Sequence, residues 1–431
     1  MQAKTLPSEN GLHNAKESQS VEYWTQYVRS IMAPLFQAAG SYSPIDQESH
    51  LKFMDEFVAP NLGPLPTEPH APYTPPASLV GSPFDPSINM ASSGKAKIRC
   101  DFDIVRPAQR AGPDPFAEHA SRETALHIAS KTGSDTKWME GLMAALLLSP
   151  EETEFAVANV PPNIAVPPLS IGFDFDGSQR TMKCYIPSLR KSIATGRPAK
   201  DLFFEALRRL EPMGARLAPG LDILEDYLAT TPSDVQFMLL GFDCLDPVTH
   251  PEARVKCYLH TLSNAFAVVR DVMTLGGRLD DETARARVET LKSIWSILRN
   301  EPDDAPMDES WCKPDRVDST GYSGLLFTVE ITPGEILPDT KVYIPVFQYA
   351  ETNKAVELNV ELMLQKLGND WGLTGRYRET LRNLFGAEEY GQTYASFTYN
   401  KAKGVCTTSY FAKSIDQVDR RLAGDFGIRL H

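Results

Sequence analysis

Hydrophobic positions along the chain change period in a recurring order. Two segments with apolar residues spaced as on one helix face are followed by two segments of alternating apolar and polar residues. The pattern predicts helices over 21–39 and 45–58 with strands over 81–90 and 96–106, then helices over 117–130 and 135–148 with strands over 168–175 and 179–187. The same order returns as helices 199–210 and 217–228 with strands 236–244 and 252–260, then as helices 262–274 and 279–299 with strands 322–330 and 340–347. A fifth unit places helices over 353–368 and 373–386 with strands over 392–400 and 404–411, and a last helix over 412–425. Asp176-Gly177-Ser178 and the segment from Lys401 to Gly404 supply tight-turn residues between strand partners.

Ten antiparallel strands interleaved with helix pairs make an α/β chain of the α+β kind. Closure into a ten-stranded barrel is favoured over an open sheet, because it leaves no unpaired edge and lets each helix pair cover one stretch of outer wall. The expected organisation is therefore five ααββ repeats in one barrel domain over residues 21–431, with 1–20 as a disordered tail. The proline-rich stretches 64–76 and 302–314 read as surface loops.

Strand side chains alternate between two faces, so each strand can be split and compared with the others. One face is apolar: Ile98, Cys100, Phe102 and Ile104; Met182, Cys184 and Ile186; Val255, Cys257 and Leu259; Val342, Ile344 and Val346. These are the helix-facing positions. The opposite face carries Arg99, then Lys183 with Tyr185, Arg254 with Lys256 and Tyr258, Lys341 with Tyr343, and finally Tyr410. For one strand alone, solvent exposure explains such residues. Their recurrence in separate hairpins, with helices outside, turns them into the barrel, where like charges repel unless a multivalent anion sits among them. Lysine and arginine give charge-assisted bonds to phosphate oxygens, and tyrosine faces attract a carbocation. Together they fit a prenyl diphosphate, which needs a neutralised leaving group and an allyl cation kept from water.

Composition narrows the alternatives. The 431 residues carry 43 Lys and Arg against 56 Asp and Glu, a formal charge of −13, so the surface as a whole repels nucleic acid and anionic lipid. No apolar run is long enough to span a bilayer and the polar opening segment has no signal-peptide core, which makes the cytoplasm the expected location. The six scattered cysteines lack any C-x-x-C pair and read as free, mostly buried thiols. Nucleotide-loop, zinc-hydrolase and nucleophile-elbow motifs are absent. The acidic clusters Asp280-Asp281-Glu282 and Asp303-Asp304 with Asp308 lack the D-D-x-x-D spacing of a magnesium-dependent helical prenyl synthase and read as loop or cap charges; no metal site is expected.

Arg254-Val255-Lys256-Cys257-Tyr258 resembles the R-x-K-x-Y strand of the fungal dimethylallyltryptophan synthase family of aromatic prenyltransferases. Lys183-Cys184-Tyr185 and Lys341-Val342-Tyr343-Ile344-Pro345 resemble two further strands of that family, Arg99 falls where it keeps an arginine, and the likeness spans roughly residues 20–425. The resemblance implies transfer of a dimethylallyl group from dimethylallyl diphosphate to an electron-rich aromatic small molecule, an indole derivative or a phenolic polyketide, in secondary metabolism. It implies no obligatory metal or other cofactor. Arg99, Lys183, Arg254, Lys256 and Lys341 would hold the diphosphate with Tyr258 and Tyr343, while Tyr185, Tyr258, Tyr343 and Tyr410 would shield the cation. Asp85, where indole-specific members carry a glutamate, would orient the acceptor through an N–H or O–H; as a bare residue it also reads as a turn aspartate before Pro86. Ser170 aligns with the lysine base of tryptophan-using enzymes and Cys406 with a shielding tyrosine, departures that argue against free tryptophan as acceptor. The rival reading is a non-catalytic barrel that binds a phosphorylated or aromatic ligand. Acceptor identity, bonding atom, prenyl chain length, general base and oligomeric state leave no mark in one chain.

Overall fold

The computed structural model describes residues 9–65, 81–92, 94–106, 112–160, 166–231, 235–302, 307–317, 322–386, 390–400 and 404–413. The helices are α1 (Glu9–Ala39), α2 (Pro44–Phe57), α3 (Glu118–Thr132), α4 (Lys137–Leu146), α5 (Pro150–Asn159), α6 (Leu189–Thr195), α7 (Ala199–Arg208), α8 (Gly214–Thr230), α9 (Phe266–Met273), α10 (Glu282–Leu298), α11 (Asn353–Lys366), α12 (Asp370–Leu373) and α13 (Arg376–Phe385). The strands are β1 (Phe84–Ala91), β2 (Ala96–Asp103), β3 (Ser170–Asp176), β4 (Gln179–Pro187), β5 (Gln236–Asp243), β6 (Val255–Thr261), β7 (Leu325–Ile331), β8 (Asp339–Ile344), β9 (Tyr390–Asn400) and β10 (Gly404–Lys413). Each strand pairs antiparallel with its sequence neighbours, and β1 pairs with β10 to close the barrel. The expected architecture is the observed one.

Outward strand residues are buried under the helices because alternation leaves them no other apolar partner. Ile98, Cys100, Phe102, Met182, Cys184, Ile186, Val255, Cys257, Leu259, Val342 and Ile344 are all within 1% of full burial in one continuous core. On α7, Leu202, Phe203, Phe204, Ala206 and Leu207 face inward, with the Phe203 ring stacked 4.4 Å from Phe237 of β5. Polar ties fix helices to the barrel where backbone groups need partners. The Tyr42 hydroxyl donates to the Phe175 carbonyl at 2.8 Å and accepts from the Ile98 N–H at 2.8 Å. Arg287 of α10, 2% exposed, donates to the Tyr399 carbonyl, to Thr340 Oγ1 at 2.9 Å and to Asp339 at 2.7 Å.

Several boundaries differ from the sequence expectation. Helix α1 starts at Glu9, so residues 9–20 of the expected disordered tail are helical. Extending a helix already nucleated by packing costs little per residue, even without an apolar stripe. The short helices α5, α6 and α12 add a third helix to three of the five units. Of these, α5 begins in a capping box, Ser149 and Glu152 bonding reciprocally around Pro150, a start signal that periodicity overlooks. Strand β10 continues to Lys413, and the rest of the expected last helix, like the 66–76 part of the first proline-rich loop, lies outside the described residues. Asp281 caps α10 through the Thr283 and Ala284 N–H groups, and Asp308 bonds to Ser310. Asp303 and Asp304 lie outside the described residues. Among the described residues no acidic, cysteine or histidine cluster is arranged to hold a metal, and no helix is long and apolar enough to cross a membrane. All six cysteines are unpaired, four of them buried.

Candidate active site

Every predicted site residue lies on the inward face of the barrel, and the strand directions sort them into three levels. Toward the hairpin turns is a layer of charge. Arg99 on β2 pairs in register with Asp174 on β3, Lys183 on β4 with Asp243 on β5, and Lys256 on β6 with Glu330 on β7. Arg99 Nε lies 3.0 Å from Asp174, whose carboxylate also receives the Lys183 ammonium. Asp243 takes Lys256 at 2.9 Å and Arg254 at 3.5 Å, while Arg254 reaches Glu330 at 2.5 Å. Cations and carboxylates thus alternate from strand to strand.

This corrects the expectation that only a bound anion could neutralise the cations. The three acids are legible by the same alternation rule, since Asp174, Asp243 and Glu330 share the phase of the inward face on β3, β5 and β7. Five basic groups against three carboxylates leave the layer two positive charges in excess when every group is ionised, and Lys341 makes no ion pair among the described residues. Its ammonium sits 4.8 Å from the centre of the Tyr343 ring. Burial works to raise Asp174, but Arg99 and Lys183 hold its carboxyl well below the usual range. Burial likewise opposes ionisation of Glu330, which Arg254 and Lys256 nevertheless bring down to about 2. Burial lowers Lys183 to about 8 against the pull of Asp174, and burial with the Arg99 charge lowers Lys341 to about 7.

Above the charges lies a layer of tyrosines. The ring centres of Tyr185 and Tyr258 are 6.1 Å apart, Tyr258 and Tyr343 6.0 Å, and Tyr343 and Tyr410 5.8 Å, distances typical of paired aromatic rings. Burial pushes the Tyr343 hydroxyl up to about 12, and it is hydrogen-bonded to Tyr258 and Tyr410. Tyr394 on β9 and Tyr322 extend the layer, Tyr394 meeting Tyr343 edge-on at 6.2 Å. Both were missed, although Tyr394 is in phase with Ser396, the register partner of Tyr343. The rings fit because the strand between two of them carries glycine. A Cβ at Gly241 would lie 2.8 Å from the Tyr185 ring and 3.2 Å from Tyr258. The fully buried hydroxyls of Ser87, Thr328 and Ser396, each beside one of these tyrosines in register, have no hydrogen-bond partner among the described residues and can meet a ligand oxygen.

The third level, toward the open strand ends, is acidic. Asp85 of β1 stands directly across from Asp101 of β2, and Asp103 follows two residues on. Asp85 is therefore a strand residue facing the chamber and not a turn cap. One of its carboxyl oxygens is buried with no hydrogen-bond partner among the described residues, and burial, then the Asp101 and Asp103 charges, raise the group well above the usual carboxylate range. The Ser170 hydroxyl donates to Asp103 at 2.6 Å. Asp101 and Asp103 were not singled out in the sequence, although they continue the inward phase of Arg99. Cys406, half-buried near the hairpin turns, pairs in register with Thr398. A separate cleft of about 380 Å³ between α4, α6 and α7 contains none of these residues, and Lys191, Arg197 and Arg209 on its walls are already paired with glutamates at 2.5 Å.

A closed ten-stranded barrel wrapped in helices, with a cationic floor beneath stacked tyrosines, defines an aromatic prenyltransferase of the ααββ barrel class. The chain belongs to the tryptophan dimethylallyltransferase family, whose model matches residues 20–380. It is 58% identical over 417 residues to the indole prenyltransferase tdiB of Emericella nidulans, a match covering 95% of this chain and 100% of that protein. The indole diterpene prenyltransferase terF of Tolypocladium album is 34% identical, over 93% of this chain and 95% of its own. Among solved structures, AnaPT from Neosartorya fischeri shares the fold with a TM-score of 0.77 at 22% identity, covering 95% of each chain. The protein is thus an enzyme that transfers a prenyl group from dimethylallyl diphosphate to an aromatic acceptor.

Proposed function

We propose that the acceptor is an uncharged, electron-rich aromatic small molecule, an indole derivative before a phenolic one, and that transfer needs no metal. The observation that carries this reading is the order of the levels: cations at one end, tyrosines between, carboxyls at the other. Arg99, Lys183, Arg254, Lys256 and Lys341 receive the diphosphate, so that negative charge developing as the allylic C–O bond breaks meets fixed positive groups. The freed allyl cation lies among Tyr185, Tyr258, Tyr343 and Tyr410, each ring contributing about 0.5–2 kcal/mol when desolvated. Asp85, held neutral or accepting according to the acceptor, orients its N–H or O–H at the far end. A chamber end lined by Asp85, Asp101 and Asp103 repels carboxylates, which weighs against free amino acids and agrees with the indole substrates named for the relatives.

The test is incubation with dimethylallyl diphosphate and excess EDTA over a panel of indoles, tryptophan-containing cyclic dipeptides, tyrosine, naphthols and xanthones, read as a gain of the prenyl mass. An indole product formed in EDTA is expected. Diphosphate binding with no product on any acceptor points to a carrier barrel, and activity lost in EDTA removes the metal-free reading. Asp85→Ala should lower acceptor turnover or change its regiochemistry, and Arg254→Ala should cut turnover in a protein that still folds.

A further inference from the structure

Prenylation at an aromatic carbon leaves one proton too many. The ring carbon that bonds the allyl cation becomes tetrahedral, and aromaticity returns only when its C–H bond breaks, the electron pair going to the ring and the proton to a base. Ser170, at the position that resembles a lysine base, cannot take it. Resting on the prenyl-transfer reading above, we propose that Asp101 accepts this proton.

Asp101 lies two residues beyond Arg99 on β2 and directly across from Asp85 on β1, which sets it above the diphosphate floor and beside the acceptor carboxyl. At about 3.4 Å per strand residue, its Cα is about 7 Å from that of Arg99. Its carboxylate leans across the neighbouring strand into space that exists only because residue 172 is glycine: a Cβ there would overlap Asp101 Oδ1 and touch the Tyr185 ring at 3.1 Å. The Tyr185 hydroxyl hydrogen-bonds to it. A carboxylate of the acidic level is therefore held against Tyr185, one of the cation-shielding rings, beside the place where the new bond forms.

Other groups at hand are committed elsewhere. Asp103 is 3% exposed and bonded to Ser170. Asp85 is assigned to the acceptor's N–H or O–H, and burial, then the Asp101 and Asp103 charges, raise its carboxyl well above the usual carboxylate range. His260 lies nearer the barrel mouth than Tyr258, with Nε2 2.8 Å from the Ser323 carbonyl. Lys183 and Lys341 are charged once they hold diphosphate. For Asp101, burial raises the carboxyl while Lys183 and the Tyr185 hydrogen bond oppose it. The balance makes it a stronger base than an exposed aspartate.

The experiment compares the wild type with Asp101→Asn, which keeps the shape and an oxygen for Tyr185, and Asp101→Glu, which keeps a base. The probe is the panel acceptor giving most product, unlabelled and with deuterium at the reacting carbon. Asp101→Asn should lower kcat by about 10²–10⁴-fold, the usual contribution of a positioned base, and leave KM for dimethylallyl diphosphate within about threefold. It should also show a primary deuterium effect absent from the wild type, and release dimethylallyl alcohol in excess of product. Asp101→Glu should recover part of the rate. Gly172→Ala, which displaces the carboxylate without removing it, should show the same isotope effect and serves if Asp101→Asn does not fold. Wild-type kcat in Asp101→Asn, or a rate loss with no isotope effect, overturns the assignment and leaves diphosphate or water as the base. A wild type that prenylates nothing overturns the prenyl-transfer reading instead.

Discussion

Lys341 makes diphosphate binding depend on pH in a direction the structure dictates. Burial and the Arg99 charge lower its ammonium to about 7, with Glu330 pulling the other way. In the empty chamber it is half charged at pH 7 and largely neutral at pH 9. A diphosphate ester, whose terminal phosphate loses its last proton near pH 6, arrives fully charged across this range and restores the lysine proton. Reprotonation costs about 1.4 kcal/mol per pH unit above the free-enzyme pKa. Between pH 7 and 9, Lys341 alone should weaken Kd about fifty-fold. Lys183, lowered to about 8 by burial, should add about tenfold more in the same direction. Titration calorimetry with a thiolo analogue of dimethylallyl diphosphate, in two buffers of different ionisation heat, measures both quantities. The expected result is uptake of about half a proton at pH 7 from Lys341, rising toward one at pH 8, and Lys341→Met should flatten the profile to the Lys183 contribution. A Kd that stays constant from pH 7 to 9 with no proton uptake refutes the reasoning, because it means that Lys341 is charged before the ligand arrives.

Three further outcomes follow from the same geometry. Glu330, brought down to about 2 by its neighbours, stabilises the fold above the ordinary glutamate range and loses that contribution as pH falls toward 2. Glu330→Gln should cost about 3 kcal/mol at pH 7 by chemical denaturation, yet bind diphosphate more tightly because the floor gains one positive charge. Gly241→Ala should force the Tyr185 and Tyr258 rings apart, since its Cβ has no free space; the readout is a higher ratio of dimethylallyl alcohol to prenylated product. Arg287→Met should unfold about 3 kcal/mol more easily by stranding buried acceptors on β8 and β9, with kcat unchanged in the folded fraction; a large kcat loss would contradict its purely structural placement.

What was legible in the sequence was local. The alternation of two helices and two strands, the apolar set around Cys100, Cys184 and Cys257, and the cation-then-tyrosine spacing in three hairpins all follow from periods of 3.6 and 2, which each segment carries in its own residues. That alternation sufficed to send Arg99, Lys183, Arg254, Lys256 and Lys341 inward with their tyrosines, once helices were assigned to the outer face.

The partners across strands were decided by tertiary structure. Register between strands depends on pairing of distant segments, and a slip of one residue would reverse every side chain. Only the closed barrel sets Asp174 between Arg99 and Lys183, Ser87 beside Tyr410, and Asp101 over Gly172 against Tyr185. Charge compensation, ring packing and the placing of a base are distances between strands. Such distances exist only after the chain has closed on itself, which is why the sequence determined the inventory of the chamber and the fold decided which groups act together.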